Sequence, residues 1–169
     1  MSIYAISDLH LSFNTNKPMD IFGWENYEER IKKNWLEKVN EKDLVLLPGD
    51  FSWEMKLENT YKDFEFINNL PGKKLLLKGN HDLWWTTLKK MRTFLEEENL
   101  KNIDFIYNNS YEFENYIIAG TRGWNLISEG EEDKKIKERE LLRLENSIKN
   151  GIEKYGKDRY SKSLSRRKN

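Results

Sequence analysis

Cysteine is absent from the 169 residues. Disulfides, thiolate metal sites and thiol nucleophiles are therefore excluded, and a reducing compartment fits. Histidine is scarce: His10 and His81 are the only two. Any imidazole chemistry must rest on those positions. Net charge is also absent, with 29 basic residues against 29 acidic ones. A dominant nucleic-acid field needs clustered positive charge, so this balance argues against one. The exception is local, since six basic residues and one acid follow from Lys157 onward. Weak contact with nucleic acid or anionic lipid is expected only through that tail. Long hydrophobic runs are missing too. Aliphatic stretches such as Leu44 to Leu47 are far too short to span a bilayer. Met1 leads almost directly into a strand-like run, so no secretory signal is expected. These absences predict a soluble, cytoplasmic protein without a membrane partner.

What is present is an alternation of short apolar runs with helix-period segments. Ile3 to Ser7 reads as a strand. Glu25 to Asn40 places Tyr27, Ile31, Trp35 and Val39 four apart, one apolar stripe on a helix. Asp43 to Leu47 reads as a buried strand ending at Pro48-Gly49. Asn59 to Leu70 reads as a helix with Tyr61, Phe64 and Ile67 inward, stopped by Pro71-Gly72. Lys73 to Leu77 repeats the strand pattern, and Thr87 to Leu100 is helical with Leu88, Met91 and Leu95 inward. Ile103 to Tyr107 and Tyr116 to Ala119 read as strands, with Ser110 to Glu114 a hairpin strand between them. Ser128 and Glu131 resemble a capping box that opens a long charged helix ending at Tyr155-Gly156. Its inward residues are expected to be Ile136, Leu141, Leu144, Ile148 and Ile152, with the charged residues on a solvated face. Strand alternating with helix predicts an α/β fold whose first sheet is largely parallel. In such sheets ligands collect at the carboxyl ends of the strands.

The notable polar residues fall at those ends. Asp8 and His10 follow the first strand, two residues apart, so extended backbone would point both to one face. A carboxylate and an imidazole converging on one point suit a divalent transition metal. Gly49-Asp50 follows the second strand and Gly79-Asn80-His81-Asp82 the third, each glycine allowing a sharp turn. Each set has a plainer reading. Asp-x-His arises by chance, Gly-Asp is usually a turn with an Asx hydrogen bond, and His81 could be a structural partner of Asp82. Three such sets in order, each after a strand, favour one shared site. Arg122, flanked by Gly120 and Gly123, could grip a phosphate bidentately or could pair with a surface carboxylate. Trp53, Trp84, Trp85 and Trp124 suit either an aromatic wall or core packing, with packing favoured.

Asp8-x-His10, Gly49-Asp50 and Gly79-Asn80-His81-Asp82 together resemble the first three motifs of the calcineurin-like metallophosphoesterases. The likeness covers roughly Met1 to Gly156. Phe51-Ser52-Trp53, Trp84-Trp85 and Gly120 to Trp124 are similar to a bacterial phosphohydrolase group within that superfamily. The resemblance implies a four-layer α/β/β/α sandwich and a dinuclear centre of manganese, iron or zinc at the strand ends. It implies that Asp8 and His10 bind the first metal, Asp50 bridges both, and Asn80 binds the second. It further implies that His81 attends the leaving-group oxygen, with Asp82 orienting its ring. A phosphate ester would be attacked by a metal-bound hydroxide.

The family's two remaining motifs supply three further imidazoles, and both histidines of this chain are already assigned. The expectation is an incomplete metallophosphoesterase-like domain over residues 1–156, with part of the second sheet missing. A basic, disordered tail over 157–169 would follow, as after a reading-frame shift. Two functions follow from different classes: a metal-dependent phosphoesterase, or an impaired phosphoesterase-fold chain that serves as a binding or regulatory module or is a non-functional fragment.

Overall fold

Three runs of branched and long aliphatic residues, each closed by a turn residue, set up the sheet of the first unit. In a computed structural model that describes residues 1–15, 17, 19–122 and 130–156, they form β1 (Ile3–Ala5), β2 (Leu44–Leu47) and β3 (Lys73–Leu76), joined by β4 (Ile103–Phe105). The four strands pair in parallel in the order β1-β2-β3-β4, with Ile3 opposite Leu44, Leu44 opposite Lys73 and Lys74 opposite Ile103. Between them lie α1 (Tyr27–Lys38), α2 (Tyr61–Asn68) and α3 (Leu88–Glu97). The result is the mixed α/β fold with a parallel sheet that the alternation predicts. β1, β3 and β4 end earlier than predicted, at Ala5, Leu76 and Phe105, while β2 ends at Leu47 as predicted. After β1 and β3 the chain leaves the sheet to build the loops described below.

Met1–Phe105 makes one compact unit and Ile106–Asn169 a second. The first unit's core joins sheet to helices through aromatics. Phe64 of α2 is fully buried and meets Phe51 at 4.8 Å, Trp84 at 5.3 Å and Phe105 at 6.1 Å between ring centroids. The helical stripes hold, with Tyr27 and Trp35 buried on α1, Ile67 on α2, and Met91 and Leu95 on α3. Thr87 caps α3, its side chain accepting Lys90 N–H at 3.3 Å. Lys74 was not expected in the interior. Its residue is fully buried, its amine donates to Leu70 O, and burial pulls its pKa down to about 8. The first strand is the sheet's edge and stays open to solvent, with Ile3 36% exposed.

The second unit contains an antiparallel hairpin, β5 (Asn109–Phe113) with β6 (Tyr116–Gly120), and the long helix α4 (Glu131–Gly151), which runs into a π-helical turn at Ile152–Gly156. Here the predicted inward face needs correction. Leu141, Ile148 and Ile152 are 61%, 44% and 57% exposed, and the buried positions are Glu140, Ser147 and Gly151. The surface that α4 packs on is a hairpin with free backbone groups to satisfy. Ser147 Oγ donates to Asn109 O at 2.5 Å and accepts Gly120 N–H at 3.0 Å. Glu140 accepts Thr121 Oγ1–H at 2.7 Å and pairs with Arg143. Gly151 is the contact point, where a Cβ would overlap Ile117. The capping box is also corrected, since α4 opens at Glu131 behind Gly130, which has no side chain to cap it. Trp124, Ser128 and the tail from Lys157 lie outside the described residues.

Candidate metal centre

The loops leaving β1, β2 and β3 carry Asp8 and His10, Asp50, and Asn80, His81 and Asp82 in turn. The first two loops continue side by side beyond the sheet. Asp8 N–H donates to Gly49 O at 3.0 Å, His10 N–H to Asp50 O at 3.0 Å, Leu11 N–H to Phe51 O at 2.9 Å and Trp53 N–H to Leu11 O at 3.0 Å. They form a narrow parallel ribbon that ends in a bridge between Leu11 and Ser52.

Asp8 and His10 do not converge by the alternation of an extended strand, as their spacing suggested. Asp8, His10 and Asp50 all have left-handed backbone, with φ of 59°, 45° and 51°. Each such non-glycine residue costs on the order of 1–3 kcal/mol and persists only where the surroundings dictate it. The three kinks turn two carboxylates and an imidazole toward one point. One ligating atom from each lies within 4.8 Å of the others, and His10 Nε2 is 3.9 Å from Asp8 Oδ1. Asp50 is buried and Asp8 exposed, so the point is open on one side.

A divalent ion fits this set. His10 Nε2 is the nitrogen that faces the Asp8 carboxylate, and Asp50 adds a buried carboxylate. Mixed carboxylate and imidazole donors suit a divalent transition ion.

The β3 loop closes around Asp50. Its Oδ1 accepts His81 N–H at 2.8 Å. Gly49 has φ of 103°, and a Cβ there would stand 2.6 Å from Gly79 Cα. A Cβ on Gly79 would overlap both Asp50 Oδ1 and Asp50 N. Both glycines are thus required by the contact between the loops. Asn80 and His81 are exposed at the rim.

Asp82 has other partners than a His81 ring. It is fully buried, and Oδ2 accepts Asp50 N–H at 2.9 Å and Gly79 N–H at 2.7 Å. Its Oδ1 accepts Phe51 N–H at 2.9 Å, Ser52 N–H at 3.4 Å and Trp84 Nε1–H at 3.1 Å. Burial raises its pKa and these backbone donors oppose the rise, with Asp50 adding a smaller push upward. One carboxylate thereby clasps the second and third loops together.

The tryptophans divide. Trp84 and Trp85 are 2% and 8% exposed and belong to the core. Trp53 belongs to the site, although position alone gave no means of separating it from the others. Its ring stacks on His10 at 4.5 Å with 19° between planes and lies 5.0 Å from His81. Lys17 Nζ stands 5.4 Å from the same ring. Arg122 follows β6 in the second unit and is exposed.

The chain belongs to the calcineurin-like phosphoesterase family, which it matches over residues 1–158. Metal-dependent hydrolysis of phosphate esters is the activity this family implies, with divalent metals as cofactors. A solved protein of unknown function from Aquifex aeolicus, AQ665, is similar in structure at 25% identity and a TM-score of 0.50, covering 86% of this chain and 75% of that one. No curated protein matches the chain. Among the described residues, no helix is long and apolar enough to cross a membrane.

Proposed function

We propose that this chain hydrolyses phosphate esters at a centre of two divalent ions, manganese, iron or zinc. Asp8 and His10 would hold one ion, Asn80 the other through its amide oxygen, and Asp50, with two carboxylate oxygens, would serve both. Bound there, the ions supply Lewis-acid activation of water and neutralise charge developing on the phosphoryl oxygens. The observation that carries the reading is the convergence of Asp8, His10 and Asp50 within 4.8 Å on left-handed backbone.

The remaining residues orient and transfer protons. His81 lies 5.7 Å from His10 between ring centroids, at the open rim. It is assigned to the leaving-group oxygen, giving it a proton or stabilising its charge. Asp82 serves this step by fixing the loop that carries His81, through its bonds to Gly79 and Asp50 N–H. Trp53 keeps the His10 ring in one plane by stacking.

The test is protein stripped of metal, reloaded with manganese, and assayed on an aryl phosphate monoester and diester. Turnover should fall more than about a hundredfold in Asp50→Asn, with loss of bound metal. Less than one manganese per wild-type chain, or full turnover in Asp50→Asn, would overturn the reading.

A further inference from the structure

Asp63 is a carboxylate of the first unit that the proposed reaction does not use. It projects from α2 and is fully buried. A lone charge in such a place is costly unless its oxygens are matched. They are matched by the two loops that carry the metal-ligating residues. Oδ1 accepts the Phe13 N–H at 3.0 Å, and Oδ2 accepts the Ser52 hydroxyl. Phe13 lies three residues beyond His10 and Ser52 two beyond Asp50. Ser52 Oγ also accepts Glu54 N–H at 3.1 Å, which fixes the hydroxyl's direction.

The ribbon is therefore held at two places. Near the sheet, Asp82 grips Asp50, Phe51 and Ser52 through their N–H groups. At the far end, Asp63 grips the first loop through Phe13 and the second through Ser52. Of the ribbon's two loops Asp82 holds only the second, at Asp50 itself and the two residues after it. Asp63 joins that loop at Ser52 to the first loop at Phe13, three residues beyond His10. His10 and Asp50 both have backbone conformations that non-glycine residues avoid. Strained ligands relax if one end of the segment comes loose. Burial pushes the Asp63 carboxyl up to about 6, while the Ser52 and Phe13 donors pull it down. An apolar residue at 63 would avoid that desolvation and would leave the Phe13 N–H and the Ser52 hydroxyl unmatched.

We propose that Asp63 is a positioning residue for the metal centre, acting from α2 through Phe13 and Ser52 to hold His10 and Asp50 at metal-binding separation. This rests on the phosphoesterase reading above. Manganese affinity of the full chain is the readout, measured calorimetrically for Asp63→Ala, Asp63→Asn and Ser52→Ala. Asp63→Ala should bind manganese ten- to a hundredfold more weakly. Asp63→Asn keeps an acceptor for Phe13 N–H and should recover most of that loss. Ser52→Ala removes one arm only and should fall between them, and it carries the test if Asp63→Ala does not fold. Thr87→Ala, which removes the α3 cap, lowers stability away from the ribbon and should leave manganese affinity unchanged.

A folded Asp63→Ala, or a folded Ser52→Ala in its place, that binds manganese as tightly as wild type would overturn the proposal. So would a loss of equal size in Thr87→Ala, which would reduce Asp63 to general stability. Wild-type protein that binds no manganese sinks the phosphoesterase reading and this proposal with it. Wild-type binding with unaltered variants sinks only the positioning role.

Discussion

In the first unit α3 turns Met91, Phe94 and Leu95 inward at 0%, 9% and 5% exposure. In the second unit α4 turns Glu140, Ser147 and Gly151 inward and leaves Leu141, Leu142 and Ile148 in solvent, as does the turn after it Ile152. Both helices carry apolar residues at helical spacing. They differ in what lies beneath. α3 lies against β4 and the turn at Leu57–Thr60 and meets them with apolar side chains. Under α4 is a two-stranded hairpin, where Ser147 bonds two backbone groups, Glu140 bonds Thr121 and Gly151 allows close approach to Ile117. The spacing of apolar residues on α4 thus fails to report its buried face, where Ser147 meets backbone groups of the hairpin instead.

The contrast can be broken or sharpened by substitution. The largest effect is expected at Phe64, where Phe64→Ala should cost about 3–5 kcal/mol in chemical denaturation, because four aromatic neighbours lose their common partner. A cost below about 1 kcal/mol would mean the first unit is not organised around that cluster.

Lys74 comes next. Burial holds its folded pKa at about 8, below the ordinary lysine value of 10.5. Its stabilising contribution is therefore complete above about 10.5 and is lost as pH falls through about 8. The change over that window is about 3 kcal/mol. Lys74→Met should lack this pH dependence, so the stability difference between the two proteins should change by that amount from pH 8 to pH 10.5. A difference that stays flat from pH 8 to pH 10.5 would show the amine is not held in the interior.

In the second unit Ser147→Ala should cost about 1–3 kcal/mol, since Gly120 N–H and Asn109 O lose their partner together. Hydrogen exchange at the Gly120 amide should quicken in parallel, and an unchanged rate would contradict the role given to Ser147. The smallest effect is expected for Leu141→Lys, within about 0.5 kcal/mol. A large loss there would restore the inward assignment that the sequence suggested.

How much was legible follows the same division. The sheet of the first unit could be read from Leu44 to Leu47 and Leu75 to Leu77, because buried parallel strands have to be nearly continuous in apolar residues. The site residues could be located because each follows a strand and two sets begin with glycine. Their backbone conformations could not, since Asp8 and His10 carry no local signal for left-handed φ. Asp82 could be found but its partners could not, because donors from Asp50 and Phe51 are distant in sequence. Asp63 sits beside Lys62 and Glu65 and looks like surface charge. The available clue was its position four residues before Ile67, on the inward stripe of α2. Trp53 offered no comparable clue.

The meeting of Gly49 and Gly79 bears on what a motif records. Both residues lack side chains because two loops touch, whether or not any metal is bound. Exchanging one for alanine cannot be repaired by altering the other, since neither has anything further to give up. A descendant of this chain that lost Asp8 or His10 would still need both glycines in order to fold. Glycine-anchored signatures therefore measure loop apposition, and a search that weights them heavily will keep finding silent relatives together with working enzymes.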